Sequence, residues 1–456
     1  MTSAVSSRRV LVACAAVFIL AAVLPAGQQR SDRSLSPQEL ARIWDAEHVS
    51  LPPAPVLDHK EVVNRLEELV RGSGDLFQMN KVGESVEGRA IYHVRAGSGP
   101  LSVLMWSQMH GDEPTATSAL FDLFEYLRRH RPEAAVARML STLTLHVIPM
   151  LNPDGAQRFE RRNAQSIDIN RDALRLQTPE GKVLKDVRDR LRPSVGFNLH
   201  NQSWRTSVGD PPKPASISLL SVAYDQPRSE NEGRVLTKKL CAVIRDALEP
   251  FAAGQIGRYD DEFEVRAFGD NLTLWGTPVV LIETGASAAV EPDAALVRLN
   301  FIALASALDA LATGSVHAAD PKRYESLPMN ESRLFSVIVR NATIINGNGV
   351  PPFIADLGLV VSRRVREING RRELQRATTI EDMGDLRTSG ALTTIEGTGM
   401  TVVPLGEDPI ETGRLVDLPE WRVKFTATIA VGQPARFLLL KPAAEPGKYL
   451  VEAVIR

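Results

Sequence analysis

His110 and Glu113 stand three positions apart in Ser107-Gln108-Met109-His110-Gly111-Asp112-Glu113-Pro114. An imidazole and a carboxylate across a tight glycine-containing turn can both reach one metal ion. Nitrogen and oxygen donors of this kind suit zinc at about 2.0–2.2 Å. The strand-forming run Leu101–Trp106 leads into the pair, and a helical pattern over Thr117–Arg129 leads out of it. The two side chains are therefore expected at the carboxyl end of a strand, where open α/β sheets bind ligands. His-x-x-Glu alone is weak, because a strand-end histidine hydrogen-bonded to a turn carboxylate has the same spacing.

Other stretches bear on that choice. Gly196-Phe197-Asn198-Leu199-His200 is a second apolar strand ending in a histidine. A third donor from a neighbouring strand end completes a His-Glu-His set with one open position, the catalytic rather than the structural zinc pattern. Asn152-Pro153-Asp154-Gly155 is a turn former, followed by Arg161, Arg162 and Asp168-Ile169-Asn170-Arg171. Guanidinium groups bind carboxylates through paired hydrogen bonds. A solvated charged loop is the plainer reading for Arg162. Val279-Val280-Leu281-Ile282-Glu283 ends a buried apolar strand in a carboxylate. Such a group needs either a salt bridge or a task as general base beside a metal. Tyr259 and Asp270 lie upstream of it in a charged loop.

The elements that must position these residues follow from periodicity. Strands are expected at 77–83, 90–94, 101–106, 142–149, 195–200 and 278–283, and helices at 37–47, 58–71, 117–129, 180–191, 230–248 and 293–311. Their alternation implies an α/β domain over 55–316, a mixed and mostly parallel sheet with helices on both faces. A linker is expected over 317–330. From there helical periodicity gives way to short β-rich runs punctuated by Gly and Pro, including 421–429, which predict a β-sandwich-like domain over 331–456.

The chain has 456 residues and a formal net charge of -2, so global charge gives no case for nucleic-acid binding. Residues 1–26 read as an export signal, with Arg8 and Arg9 ahead of the apolar run Val10–Leu24. That run is shorter than the roughly 20 residues that span a bilayer. A secreted or periplasmic protein is expected, with no stable membrane insertion once the signal is removed; a signal retained as an anchor is the alternative. Residues 27–54 read as an N-terminal arm. Of the two cysteines, Cys14 would leave with the signal, and Cys241 falls in an apolar helical pattern as a core residue.

Together these residues resemble the zinc carboxypeptidases of the carboxypeptidase A type. The matching motifs are His110-x-x-Glu113, Asn152-Pro-Asp-Gly155, Asn170-Arg171, Leu199-His200 and the strand ending at Glu283, in the family's order over about 75–315. The resemblance implies one Zn2+ held by His110, Glu113 and His200, with Asp168 accepting the second ring N–H of His110. It implies Glu283 as general base, Arg161 as the group that stabilises the oxyanion, and Asn170 and Arg171 as a clamp on a peptide's free C-terminal carboxylate. Tyr259 falls near the family's mobile-loop tyrosine. Asp270, if it lines the side-chain pocket, favours a basic C-terminal residue. The sequence departs from the family at Gln202, where an aromatic is common, and in the proline-rich stretch Val208–Leu219. An amidase or deacylase acting on cell-wall peptides or small carboxylated amides with the same site is the alternative activity. The tail segments 341–352 and 429–435 resemble the small β-domain that flanks the barrel of amidohydrolases.

Overall fold

The computed structural model describes residues 1, 35–49, 57–289, 291–346, 349–406, 409–418 and 428–456. The export signal and the body of the expected strand at 421–429 lie outside the described residues. Helix α1 (Pro37–Glu47) starts at a capping box in which the Ser36 and Glu39 side chains bond each other's backbone N–H. Leu40, Ala41 and Trp44 form its buried face, and the Trp44 indole N–H donates to Asp122 at 2.7 Å. Helix α2 (His59–Arg71) is capped by Asp58.

An eight-stranded sheet follows. Its strands are β1 (Phe77–Glu84), β2 (Ala90–Gly97), β3 (Leu101–Ser107), β4 (Leu143–Ile148), β5 (Val195–Asn201), β8 (Ile217–Ser221), β9 (Ile256–Arg258) and β10 (Val279–Thr284). Two short strands, β6 (Thr206–Val208) and β7 (Lys213–Pro214), stand outside it. The spatial order is β1-β2-β4-β3-β5-β10-β8-β9. Strands β4, β3, β5 and β10 run parallel, with antiparallel pairings at β2 and β8. This is the mixed, mostly parallel sheet expected from the alternation of patterns.

Helices cover both faces. Helices α3 (Thr115–Arg129), α4 (Ala134–Thr142), α7 (Glu232–Leu248) and α9 (Pro292–Thr313) share one core with α1, α2 and Val103, Met105, Phe197, Leu199, Val280 and Ile282. The other core joins α6 (Pro179–Leu191) and α8 (Phe268–Leu274) to Leu104, Trp106, Val279 and Leu281. Side chains alternate across a strand. His200 and Glu283 continue the alternation that buries Val279 and Leu281 on the second face. Helix α5 (Pro153–Arg158) opens at the Asn152-Pro153 turn. Helix α9 is long and apolar enough to cross a membrane, but 83% of its apolar window is buried against the other helices.

The segment read as a linker is structured. It carries α10 (Lys322–Glu325), and just past it β11 (Glu331–Ser332) pairs with β6. Beyond it lie β12 (Leu334–Ile344), β13 (Phe353–Ile368), β14 (Arg371–Gly384), β15 (Gly390–Glu396), β16 (Thr401–Pro404), β17 (Leu415–Asp417), β18 (Phe437–Pro442) and β19 (Lys448–Ile455). They form one β-rich sheet that forks at β12, which pairs with β15 along its first half and with β16 near its end. Strand β14, not anticipated, is a charged hairpin arm. Its signal was Asn369-Gly370, both at positive φ (53° and 73°), the tight two-residue hairpin turn. Arg372 on this arm donates to the carbonyls of Leu57 and Ala156, tying the β-rich region to the α/β region.

Candidate metal centre

The turn after β3 is fastened at several points. Leu151 and Asn152 N–H donate to the carbonyls of Ser107 and Gln108 at 3.1 and 2.8 Å. Gln108 adopts φ 45°, a conformation that costs on the order of 1 kcal/mol for a non-glycine residue. Its amide is held by Gly111 O and by the Thr117 hydroxyl. Gly111 packs on the Asn-Pro-Asp-Gly turn so closely that a Cβ there would lie 2.0 Å from the Gly155 carbonyl carbon. The two sequence motifs therefore interlock, and glycine is needed at the contact. The Asn152 side chain caps α5 by accepting from Gly155 N–H, and buried Asp154 accepts from Ser85, the Glu87 N–H and Arg89. This motif does structural work.

His110, Glu113 and His200 converge. One ligand atom from each lies within 4.8 Å of the others, and all three side chains are buried. His110 Nδ1 is 2.8 Å from Glu113 Oε1 and 3.1 Å from His200 Nδ1, and His200 Nδ1 is 2.7 Å from Glu113 Oε2. Two nitrogens bound tetrahedrally to one zinc ion would be about 3.3 Å apart. Two imidazole nitrogens and a carboxylate at this spacing fit such an ion in number and chemistry.

The surroundings orient the set. His110 Nε2 is 3.0 Å from Asp168 Oδ1, leaving Nδ1 for the convergence point. Asp168 is buried, yet the hydrogen bond from His110 and the Arg161 charge hold its carboxyl below the ordinary range. Burial also opposes ionisation of Glu113, but the charges of His110 and His200 outweigh it and keep that carboxyl ionised. The Asn201 N–H donates to Glu113 Oε2 at 3.1 Å. Arg161 lies against the same atoms: Nη1 is 3.0 Å from His110 Nδ1 and 3.2 Å from Glu113 Oε1, and Nε donates to Asp168 Oδ2.

Glu283 is the cross-strand partner of His200 in the β10–β5 ladder, so it adjoins the set. Its Oε2 is buried without a hydrogen-bond partner. Burial first, and the Glu113 charge second, push its carboxyl up. Burial without compensation raises a carboxylate's basicity.

The remaining expected residues have partners of their own. Asn170 Oδ1 accepts from Phe268 N–H at 2.9 Å, which commits its acceptor and leaves its Nδ2 donors. Arg171 Nε is 3.5 Å from Glu264 Oε2, a partner the sequence reading did not assign. Asp270 accepts from Glu264 N–H at 2.9 Å, and burial lifts its carboxyl to about 7. Tyr259 is 39% exposed and feels the charges of Glu283, Arg161 and Arg171. Ser218 was missed as a neighbour of the site. Gln202 donates to Ser218 Oγ at 2.9 Å, and Ser218 is the β8 partner of Glu283.

The family profile described as zinc carboxypeptidase matches residues 62–253, a stretch that holds all three metal-binding candidates. The matched stretch belongs to the zinc carboxypeptidase family. The family is one of zinc-dependent peptide hydrolases, the class expected from the motifs. Carboxypeptidase 2 of Trichophyton tonsurans is 28% identical over 151 residues, covering 32% of this chain and 27% of that protein. Human carboxypeptidase D is 24% identical over 215 residues, covering 43% of this chain and 15% of that protein. The chain thus spans about a quarter, or less, of the length of these curated relatives. A metallo-carboxypeptidase from Burkholderia cenocepacia superposes with a TM-score of 0.45 and 18% identity, over 55% of this chain and 69% of that one.

Proposed function

We propose that this protein is an exported zinc metallocarboxypeptidase that hydrolyses the C-terminal peptide bond of peptides with a free terminal carboxylate. The observation that carries the reading is the convergence of His110, Glu113 and His200 beside a buried, unpartnered Glu283. One zinc ion held by those three side chains would supply Lewis acidity, acidifying water and polarising a carbonyl.

The protein's own residues do the rest. Glu283 takes the proton of the attacking water and returns it to the leaving amine, a task suited to a carboxyl whose basicity is raised. Arg161 supplies N–H donors to the carbonyl oxygen as negative charge develops on it. Asp168 fixes the His110 tautomer. Asn170 and Arg171 hold the substrate's terminal carboxylate, with Arg171 leaving Glu264 to do so. Glu264 gives the approach negative charge, to which Asp270 adds once the pH rises above about 7, and this favours a basic C-terminal side chain. Residues 55–316 act as the catalytic unit and 331–456 as an accessory β-rich unit. Export rests on the pattern of residues 1–26.

The test is hydrolysis of matched peptides with free and amidated C-termini. A carboxypeptidase cleaves the free acid and spares the amide, because the clamp requires the carboxylate. Equal cleavage of both would overturn the reading in favour of an amidase.

A further inference from the structure

The segment that opens the β-rich region does more than connect. Arg258 N–H donates to Pro328 O at 2.8 Å and Asn330 N–H to Arg258 O at 3.1 Å, so the chain is stitched along β9 at the edge of the catalytic sheet. The Asn330 side chain then enters the wall beside Glu283. Asn330 Nδ2 donates to Gln202 Oε1 at 2.9 Å, Gln202 Nε2 donates to Ser218 Oγ at 2.9 Å, and Ser218 Oγ donates to Asn330 Oδ1 at 2.8 Å. The three groups close a ring.

Two glycines border the ring. A Cβ at Gly257, the β9 partner of Ser218, would lie 2.4 Å from Asn330 Oδ1 and 3.0 Å from Ser218 Oγ. A Cβ at Gly285 would lie 2.1 Å from Ala215 O and 2.9 Å from Gln202 Nε2. Side chains at either position would displace the amides.

Ser218 lies directly across the antiparallel ladder from Glu283, and such partners have Cβ atoms about 5 Å apart on the same face. A hydroxyl has one proton to donate. Here that proton goes to Asn330, which leaves none for Glu283, whose Oε2 stays unpartnered.

We propose that Asn330 is a positioning residue of the hydrolytic site. By closing the ring it turns the Ser218 hydroxyl away from Glu283, so the segment leading into the β-rich region contributes to the catalytic unit. This rests on the carboxypeptidase reading. The test uses the full chain loaded with zinc and a free-acid peptide substrate. Asn330→Ala lowers kcat about tenfold while KM changes less than about twofold, because the base is perturbed and the carboxylate clamp is not. Adding Ser218→Ala to Asn330→Ala recovers most of that loss, since the freed hydroxyl is gone; a purely structural role for Asn330 gives no such recovery. A kcat for Asn330→Ala within twofold of wild type, or no recovery in the double variant, overturns the proposal. If Asn330→Ala melts early, Asn330→Leu removes the Oδ1 acceptor while filling the same space, and an unchanged kcat there overturns it equally. A wild-type protein without turnover sinks the carboxypeptidase reading itself, a result distinct from turnover that is indifferent to Asn330.

Discussion

Asp168 Oδ1 lies 3.0 Å from His110 Nε2, while the opposite ring nitrogen, Nδ1, faces Glu113 and His200. One carboxylate therefore decides which nitrogen of His110 is free to bind a metal. Partners of this kind fix ring orientation, and their loss typically weakens metal binding about 10–100-fold. Asp168→Asn is expected to fall in that range in a zinc competition titration against a chelator, with the melting temperature of the metal-free protein little changed.

Glu283 has a buried Oε2 that no protein group satisfies. Glu283→Gln keeps the shape and removes the proton acceptor. It should lower kcat by roughly 10²–10⁴-fold, the usual worth of general-base catalysis, while zinc content stays at the wild-type level. Wild-type turnover in this variant would remove Glu283 from the chemistry.

Arg171 and Glu264 form a partly exposed pair with Nε 3.5 Å from Oε2, so the substrate carboxylate must compete with Glu264 for the guanidinium. Arg171→Ala should raise KM by the equivalent of roughly 1.5–3 kcal/mol, the scale of charged hydrogen bonds. Glu264→Gln should instead lower KM slightly, by about twofold, because exposed pairs contribute little. Steady-state kinetics on one free-acid peptide measures both. Effects in the same direction would contradict the competition.

His93 and His146 are buried together, Nε2 of one 2.9 Å from Nδ1 of the other, and burial pushes each pKa down to about 4. The folded protein keeps both rings neutral, whereas the unfolded chain protonates them near 6.5. The stabilisation is therefore complete above about pH 6.5 and is lost as the pH falls toward 4. The loss reaches up to about 3 kcal/mol for one ring, and the two do not simply add. Denaturant unfolding at stepped pH should show this slope, and replacing both imidazoles by glutamine should flatten it.

The residues that converge at the candidate metal centre were legible in the sequence, because strand-end histidines and carboxylates break an otherwise apolar pattern. His110, Glu113 and His200 announced themselves this way, and the structure brings them together. Parallel strands buried on both faces read as continuous apolar runs, which made β3, β5 and β10 visible. The groups that depend on distant pairing were not legible. Glu264 is one charge among several in its loop, and only the fold sets it against Arg171. Asn330 reaches Gln202 across 128 positions of chain, a contact that no local spacing encodes. Strand β14 was hidden because its side chains are charged, and its evidence was the Asn369-Gly370 turn alone.

The most direct measurement is anomalous diffraction at the zinc absorption edge from crystals of zinc-loaded protein. The account predicts a single peak between His110 Nδ1, His200 Nδ1 and the Glu113 carboxylate, at about 2.0–2.2 Å from each. A peak elsewhere, or none at full zinc loading, would contradict it.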